Sequence, residues 1–126
     1  VPTERLYSYF YHYPLNVEKM REATSYLIGR HDFKSFCGAK AQVKSTIRTI
    51  TAIEIWKDGD MITIRISGEG FLYNMVRIIA GTLIEVGNGQ YPPEQVKEIL
   101  EACDREAAGP TAPAHGLTLM GIAFFD

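Results

Sequence analysis

The residue best equipped to do chemistry in this chain is Arg77. It closes the stretch Gly68-Glu69-Gly70-Phe71-Leu72-Tyr73-Asn74-Met75-Val76-Arg77. At about 100° per residue, Gly70, Asn74, Arg77, Gly81 and Glu85 share one narrow helical stripe. Every other residue from 71 to 86 is apolar except Thr82. A helix that is apolar nearly all round is a buried one, so Arg77 is expected in or near the interior, where a guanidinium cannot shed its charge. There it needs a carboxylate or a phosphate. The residues three and four positions away, Tyr73, Asn74, Ala80 and Gly81, include no acid. Glu85 is about 12 Å along the axis. The expectation is an anion site whose anion the helix does not itself supply. A structural role stands beside it, with Arg77 bonding loop carbonyls or pairing with an acid brought near by folding, such as Asp32.

Other candidate motifs divide in the same way. Gly68 and Gly70 lack the third glycine of a dinucleotide fingerprint, because position 73 is Tyr73. A tight strand-to-helix turn is the better use of them. Residues 30–48 carry Arg30, Lys34, Lys40, Lys44 and Arg48 against Asp32 alone, a local charge of +4. Interleaved with Phe33 and Phe36, this run suits contact with an RNA backbone, and it would equally suit a solvated loop. Tyr7, Tyr9, Tyr11 and Tyr13 could stack bases, although covering a sheet edge is the simpler reading. His12, His31 and His115 lack metal-ligand spacing, so no metal is expected. Cys37, flanked by Lys34 and Lys40, could have a lowered pKa, but a small loop hydrophobe explains it better. No Ser/His/Asp or Cys/His arrangement stands out.

These residues need elements to position them. The alternation in residues 6–13 predicts a strand closed by Pro14. Asn16 is placed to cap a helix with Val17, Met20, Ala23, Thr24, Leu27 and Ile28 on its apolar face, ended by Gly29. Residues 30–44 read as irregular. Asp58-Gly59 reads as a two-residue hairpin turn pairing Ile55 with Ile62, Ile53 with Ile64 and Thr51 with Ile66. The Arg77 helix should stop at residues 86–89. Pro92-Pro93 starts another, with Val96, Ile99, Leu100 and Cys103 on its buried stripe. Residues 104–116 read as a loop, and residues 117–125, apolar on both faces, as a central strand. One added helix apart, this order predicts an α+β fold, the ferredoxin-like α-β plait, with helices on one face of an antiparallel sheet.

The totals set bounds. A chain of 126 residues, 46% hydrophobic and 22% charged, is one domain with a core. The net charge of −2 argues mildly against nucleic acid, but residues 92–106 hold five acids against Lys97 and Arg105. The polarity between this run and the basic one matters more than the sum. Two distant cysteines suggest free thiols in a reducing compartment, hence the cytoplasm. Asn74, Arg77 and Gly81 interrupt the longest apolar stretch, so no membrane span is expected. The first residue, Val1, stands directly before a strand-like run, which leads us to expect further polypeptide upstream.

Three stretches together resemble the C-terminal half of the bacterial tRNA pseudouridine synthase A family. They are Gly29-Arg30-His31-Asp32-Phe33-Lys34-Ser35-Phe36, residues 70–87 beginning Gly70-Phe71-Leu72-Tyr73-Asn74-Met75-Val76-Arg77, and Gly109-Pro110-Thr111-Ala112-Pro113-Ala114-His115-Gly116-Leu117. They stand in the family's order and spacing and cover nearly the whole chain, with a departure at Thr118, where the family usually shows tyrosine. The resemblance implies isomerisation of uridine to pseudouridine in the anticodon stem-loop of tRNA, without metal or organic cofactor, by a homodimer. The base is expected to be flipped out of its stack. The family's nucleophile is an aspartate in an Arg-Thr-Asp-Ala-Gly motif, absent from this sequence and expected, with the tyrosine that packs on the base, in an N-terminal domain. The basic residue that holds the aspartate maps onto Arg77, and the apolar residue lining the uracil pocket onto Leu117. Asn74 is a further candidate at the cleft. On this reading the isolated chain folds but is inactive. The alternative is a non-catalytic plait-type module for RNA binding or dimerisation.

Overall fold

The structure, a computed structural model, describes residues 3–10, 14–38, 43–72, 74–111 and 117–119. Strand β1 (Thr3–Phe10) is followed by helix α1 (Val17–Thr24), strand β2 (Gly29–Asp32), and the long hairpin of β3 (Ile47–Asp58) and β4 (Met61–Glu69). Helices α2 (Met75–Gly87) and α3 (Gln95–Ala102) and strand β5 (Leu117–Leu119) complete the order. One antiparallel sheet runs β2-β3-β4-β1-β5, with the helices packed on it. This is the expected α+β plait with one strand added at an edge.

The added strand, β2, falls in the segment expected to be irregular. None of its four residues is buried, so no apolar alternation marks it. It is held by main-chain pairing of Gly29 with Ile50 and Asp32 with Ile47. Strand β1 starts earlier than expected, at Thr3, and the expected end of the strand, residues 11–13 with Tyr11 and Tyr13, lies outside the described residues. It is not an edge, because it pairs with β4 on one side and β5 on the other. Tyr7 is accordingly a fully buried core residue, not an edge cover or a stacking platform. The last strand stands beside β1 at the end of the sheet order, not at its centre, and residues 120–125 lie outside the described residues.

Asn16 caps α1 as its type and position predict, accepting from the Lys19 amide at 3.0 Å. The helix ends at Thr24, short of Gly29, because the amides of Ser25, Tyr26 and Leu27 turn back in tight three-residue bonds. In the hairpin, Asp58 faces Met61, so the two-residue loop is Gly59-Asp60. Lys57 therefore faces Ile62, Ile55 faces Ile64 and Ile53 faces Ile66, each partner displaced by two from expectation. Gly59 has φ +60°, whereas the non-glycine residues with positive φ, among those described, are Asn74 and Cys103. A positive φ at the first central position alone is the type II′ pattern, and this shifts the loop by one residue. A two-residue displacement preserves parity, so the isoleucines still share the core face. The same displacement gives Ile66 to Ile53 in place of the expected Thr51, and a bulge between Ile50 and Ala52 skips Thr51 in the register.

The core lies between this face and the helices. Ile62, Ile64, Ile66 and Tyr7 from the sheet meet Met75, Ile78, Ile79 and Leu83 of α2, with Met20 of α1 and Ile99 of α3. Eleven of the thirteen residues of α2 are buried, and the two that are not are Arg77 and Glu85. The polar stripe expected from the helical period therefore exists, but it marks the rim. Arg77 is half-buried and not sunk in the interior.

Candidate functional site

The site is built by the turn from β4 into α2. A Cβ at Gly68 would stand 2.5 Å from the carbonyl oxygen of Thr49, so only glycine lets β3 approach so closely. Gly70 has φ +62°, and its carbonyl accepts from Arg48 Nε. Arg48 Nη1 also donates to the carbonyls of Ser45 at 2.9 Å and Ile47 at 2.7 Å. One of the five basic residues expected to touch RNA thus latches the turn to the start of β3.

Asn74 follows as the N-cap of α2, with φ 58° and ψ 8°. Left-handed backbone is uncommon outside glycine, although asparagine tolerates it best. Its side chain makes no cap bond. Its Oδ1 instead accepts from Arg77 Nη1 at 3.1 Å. The Asn74 side chain is thus spent on the Arg77 guanidinium and not on the cap. Arg77 is in the first turn, where the helix dipole is already positive and a cation is at a disadvantage. Dipole and guanidinium together favour an anion at this end of the helix.

Arg77 and Asn74 line a pocket of about 150 Å³ with Phe71, Leu72, Met75, Val76 and, from β1, Arg5. The Arg5 guanidinium carbon lies 5.3 Å from the centre of the Phe71 ring, and its Nη1 donates to the Glu4 carbonyl at 3.2 Å. No acid is among the described residues lining this pocket. Sequence reasoning missed Arg5. The available signal was strand parity, since Arg5 shares a face with Tyr7. In register Arg5 stands opposite Leu119 and Tyr7 opposite Leu117, so β5 brings Leu117 to the strand that carries Arg5.

Size does not identify the site. Two larger cavities, of about 330 and 430 Å³, flank α3, and Cys103 lines both. Their charged linings mix signs, Asp32, Lys97 and Glu101 in one and Lys34, Asp104 and Arg105 in the other. Asp32, the acid considered as a partner for Arg77, is engaged where β2 ends, accepting from the Lys34 amide at 3.1 Å and from Thr46 Oγ1. Arg30, Lys34 and Lys44 are exposed, and Lys40 lies outside the described residues. Cys37 is buried, and burial pushes its thiol pKa up while the Arg48 charge opposes the rise, so it is no activated nucleophile. Among the described residues no three His, Cys, Asp or Glu side chains group to hold a metal, and no helix is long and apolar enough to cross a membrane.

Fold and pocket together define an α+β domain with two arginines lining one recess of about 150 Å³. A family model described as tRNA pseudouridine synthase matches residues 23–124, and the chain belongs to that family. It is 54% identical over 121 residues to a tRNA pseudouridine synthase A of Bacillus velezensis, a match covering 96% of this chain and 49% of the relative. The figures are the same for a tRNA pseudouridine synthase A of Bacillus subtilis. For one from Halalkalibacterium halodurans the identity is 55% over 113 residues, covering 90% of this chain and 43% of the relative. The chain thus spans about half the length of the curated relatives it matches.

Proposed function

We propose that this chain is the C-terminal domain of an enzyme that converts uridine to pseudouridine in the anticodon stem-loop of tRNA. An N-terminal domain, which would account for the other half of the relatives' length, supplies the nucleophilic aspartate. Arg77 is the positioning residue that keeps this aspartate ionised and oriented, and Asn74 holds Arg77 in turn. Leu117 lines the uracil pocket. Arg30, Lys34, Lys40 and Lys44 contact the tRNA backbone, whereas Arg48 shapes the turn that carries Asn74. Neither metal nor organic cofactor takes part. The whole protein acts as a homodimer in the cytoplasm.

The observation that carries this reading is the Asn74–Arg77 pair lining one pocket at the start of α2, in a chain of the tRNA pseudouridine synthase family that spans about half the length of its relatives. The balance of charges favours an incoming carboxylate. An ionised Asp and a guanidinium form one of the stronger hydrogen-bonded pairs when water is excluded. Conversion of uridine is measured with this chain alone and with the complete polypeptide on the same anticodon stem-loop RNA. Turnover by the complete polypeptide only is the expected result. Turnover by this chain alone removes the missing-nucleophile reading. No turnover by either favours a non-catalytic RNA-binding module.

A further inference from the structure

Thr82 lies on the buried side of α2 and has no part in the function proposed above. It is 1% exposed, among the residues by which the helix meets the core. Its hydroxyl is engaged twice, donating to the Ile78 carbonyl at 2.9 Å and accepting from the Gly109 amide at 3.0 Å. The second bond joins the helix to a segment 27 residues further on. A Cβ at Gly109 would stand 3.0 Å from Thr82 Cα, so the main chain of that segment lies directly on the helix. Arg105 grips the same segment. Its Nη1 donates to the Gly109 carbonyl and its Nη2 to Thr111 Oγ1, both at 3.0 Å. Further back, the Asp104 amide donates to Ser35 Oγ at 2.8 Å, and that buried hydroxyl donates to the Ile99 carbonyl at 2.6 Å. Residues 104–111 are therefore fastened at three places, in part by buried groups that are costly to leave unpaired.

The chain beyond this segment needs such an anchor. Leu117 stands six residues after Thr111, a reach of at most about 20 Å. It opens β5, whose described part is three residues paired with β1. So short a ladder has few main-chain bonds to set its register. A slip of one residue would put Thr118 in place of Leu117 opposite Tyr7, and such a slip reverses every side chain of a strand. Thr82 is five residues, about 7.5 Å along the axis, from Arg77. The helix that presents Arg77 thus also holds the chain that returns to Leu117. We propose that Thr82 and Arg105 are positioning residues that fix the register of β5, and with it the place of Leu117 relative to Arg77. This inference rests on the roles proposed above for Leu117 and Arg77.

The test uses the complete polypeptide and an anticodon stem-loop RNA, with each variant assayed well below its melting temperature. Thr82→Val keeps the shape and loses the hydroxyl. It is expected to lower the conversion rate at saturating RNA about tenfold, with RNA affinity at the parental value. Thr82→Ser, which keeps the hydroxyl, should hold the parental rate. Arg105→Gln changes a half-buried residue and should behave as Thr82→Val does, so it carries the test if the valine variant does not fold. Adding either substitution to Leu117→Ala should cost little more than Leu117→Ala alone, because all three act at one place. Parental rates in folded Thr82→Val and Arg105→Gln overturn the proposal, and so do losses that multiply with that of Leu117→Ala. Weakened RNA affinity with an unchanged saturating rate in Arg105→Gln overturns it too, by making that arginine an RNA contact. Parental turnover in Leu117→Ala overturns the reading of Leu117 as well, whereas a loss there beside parental rates in the two tether variants overturns this inference alone.

Discussion

Arg65 and Arg77 are both half-exposed arginines on regular elements, and their neighbours differ in kind. Arg65 stands in β4 directly across from Glu54 of β3, and its Nε lies 2.8 Å from Glu54 Oε1. Its guanidinium also sits 5.7 Å from the centre of the Trp56 ring. The sheet that presents this cation also presents its acid, because strand register brings both to the same face. Among the described residues Arg77 donates to the neutral amide of Asn74, whose backbone is left-handed. One arrangement is complete within the hairpin and needs no strain. The other accepts strain to aim a charge at a recess. The contrast sets a cation paired with an acid of its own sheet against one braced by a neutral amide at a pocket, and it gives the proposals for Arg77 a control inside the same molecule.

The largest expected effect breaks the comparison most directly. In the complete polypeptide, Arg77→Ala should lower pseudouridine formation on the order of 10³-fold, the scale of removing one charged contact made at the reacting centre. Its melting temperature should move little, because a half-exposed residue leaves no cavity. Arg65→Ala should do the reverse, with turnover within a few-fold of the parent. Equal losses of turnover in the two variants would erase the distinction.

Asn74 sharpens it. Asn74→Gly removes the left-handed strain and the Oδ1 acceptor together. The variant should be at least as stable as the parent while losing about tenfold in turnover, since Arg77 survives without its brace. Asn74→Ala keeps the strain without the asparagine's tolerance of it and should cost about 1–2 kcal/mol in denaturant unfolding. A Gly variant with full turnover would reduce Asn74 to a turn residue.

What could be read beforehand follows the range of the interactions involved. The Asn16 cap is set within four residues and was legible. The parity of the hairpin isoleucines was legible because period two survives a shift of two. The register itself was not, because it turned on which residue of Asp58-Gly59-Asp60 takes the positive φ. Strand β2 was invisible because it buries nothing and is held by main-chain bonds. The stripe of Arg77 and Glu85 was correct in angle, but its depth depended on what packs beside α2. Arg5 and Tyr7 share that difficulty. Their surroundings come from β4, β5 and α2, and no local pattern in a run of alternating tyrosines announces that both sides of a strand are covered.

Cys37 offers a pH-dependent test of a third arginine, Arg48, which stands between the other two in character. Burial raises the Cys37 pKa above that of an ordinary thiol, and the Arg48 charge partly offsets the rise. Thiolate is therefore scarcer at pH 8 than for a free cysteine, and alkylation at Cys37 should be slower than at a free thiol and should accelerate up to higher pH. The sign for stability follows. The unfolded chain loses this proton first, so the folded state loses stability as pH climbs from the unfolded value of about 8.5 toward the higher folded one. Below pH 8 this cysteine should contribute no slope. Mass-resolved alkylation rates against pH check the first expectation, and denaturation midpoints of Cys37→Ser against the parent check the second. A Cys37 that alkylates as fast as a free thiol at pH 8 would contradict its burial.

The smallest effect belongs to the pair that is already complete. A double-mutant cycle on Glu54→Gln and Arg65→Gln should return a coupling of about 0.2–1 kcal/mol, shrinking as salt is raised. The pair is short and aligned, with Arg65 held above its ordinary pKa chiefly by the Glu54 hydrogen bond, yet water still reaches both side chains. Exposure caps what such a contact contributes, because the ions gain little over their hydrated state. A coupling of several kcal/mol would mean that the hairpin face is shielded from solvent in the protein as it is assayed. Arg65 would then be a buried charge whose partner is indispensable, and its use as the plain counterpart of Arg77 would fail.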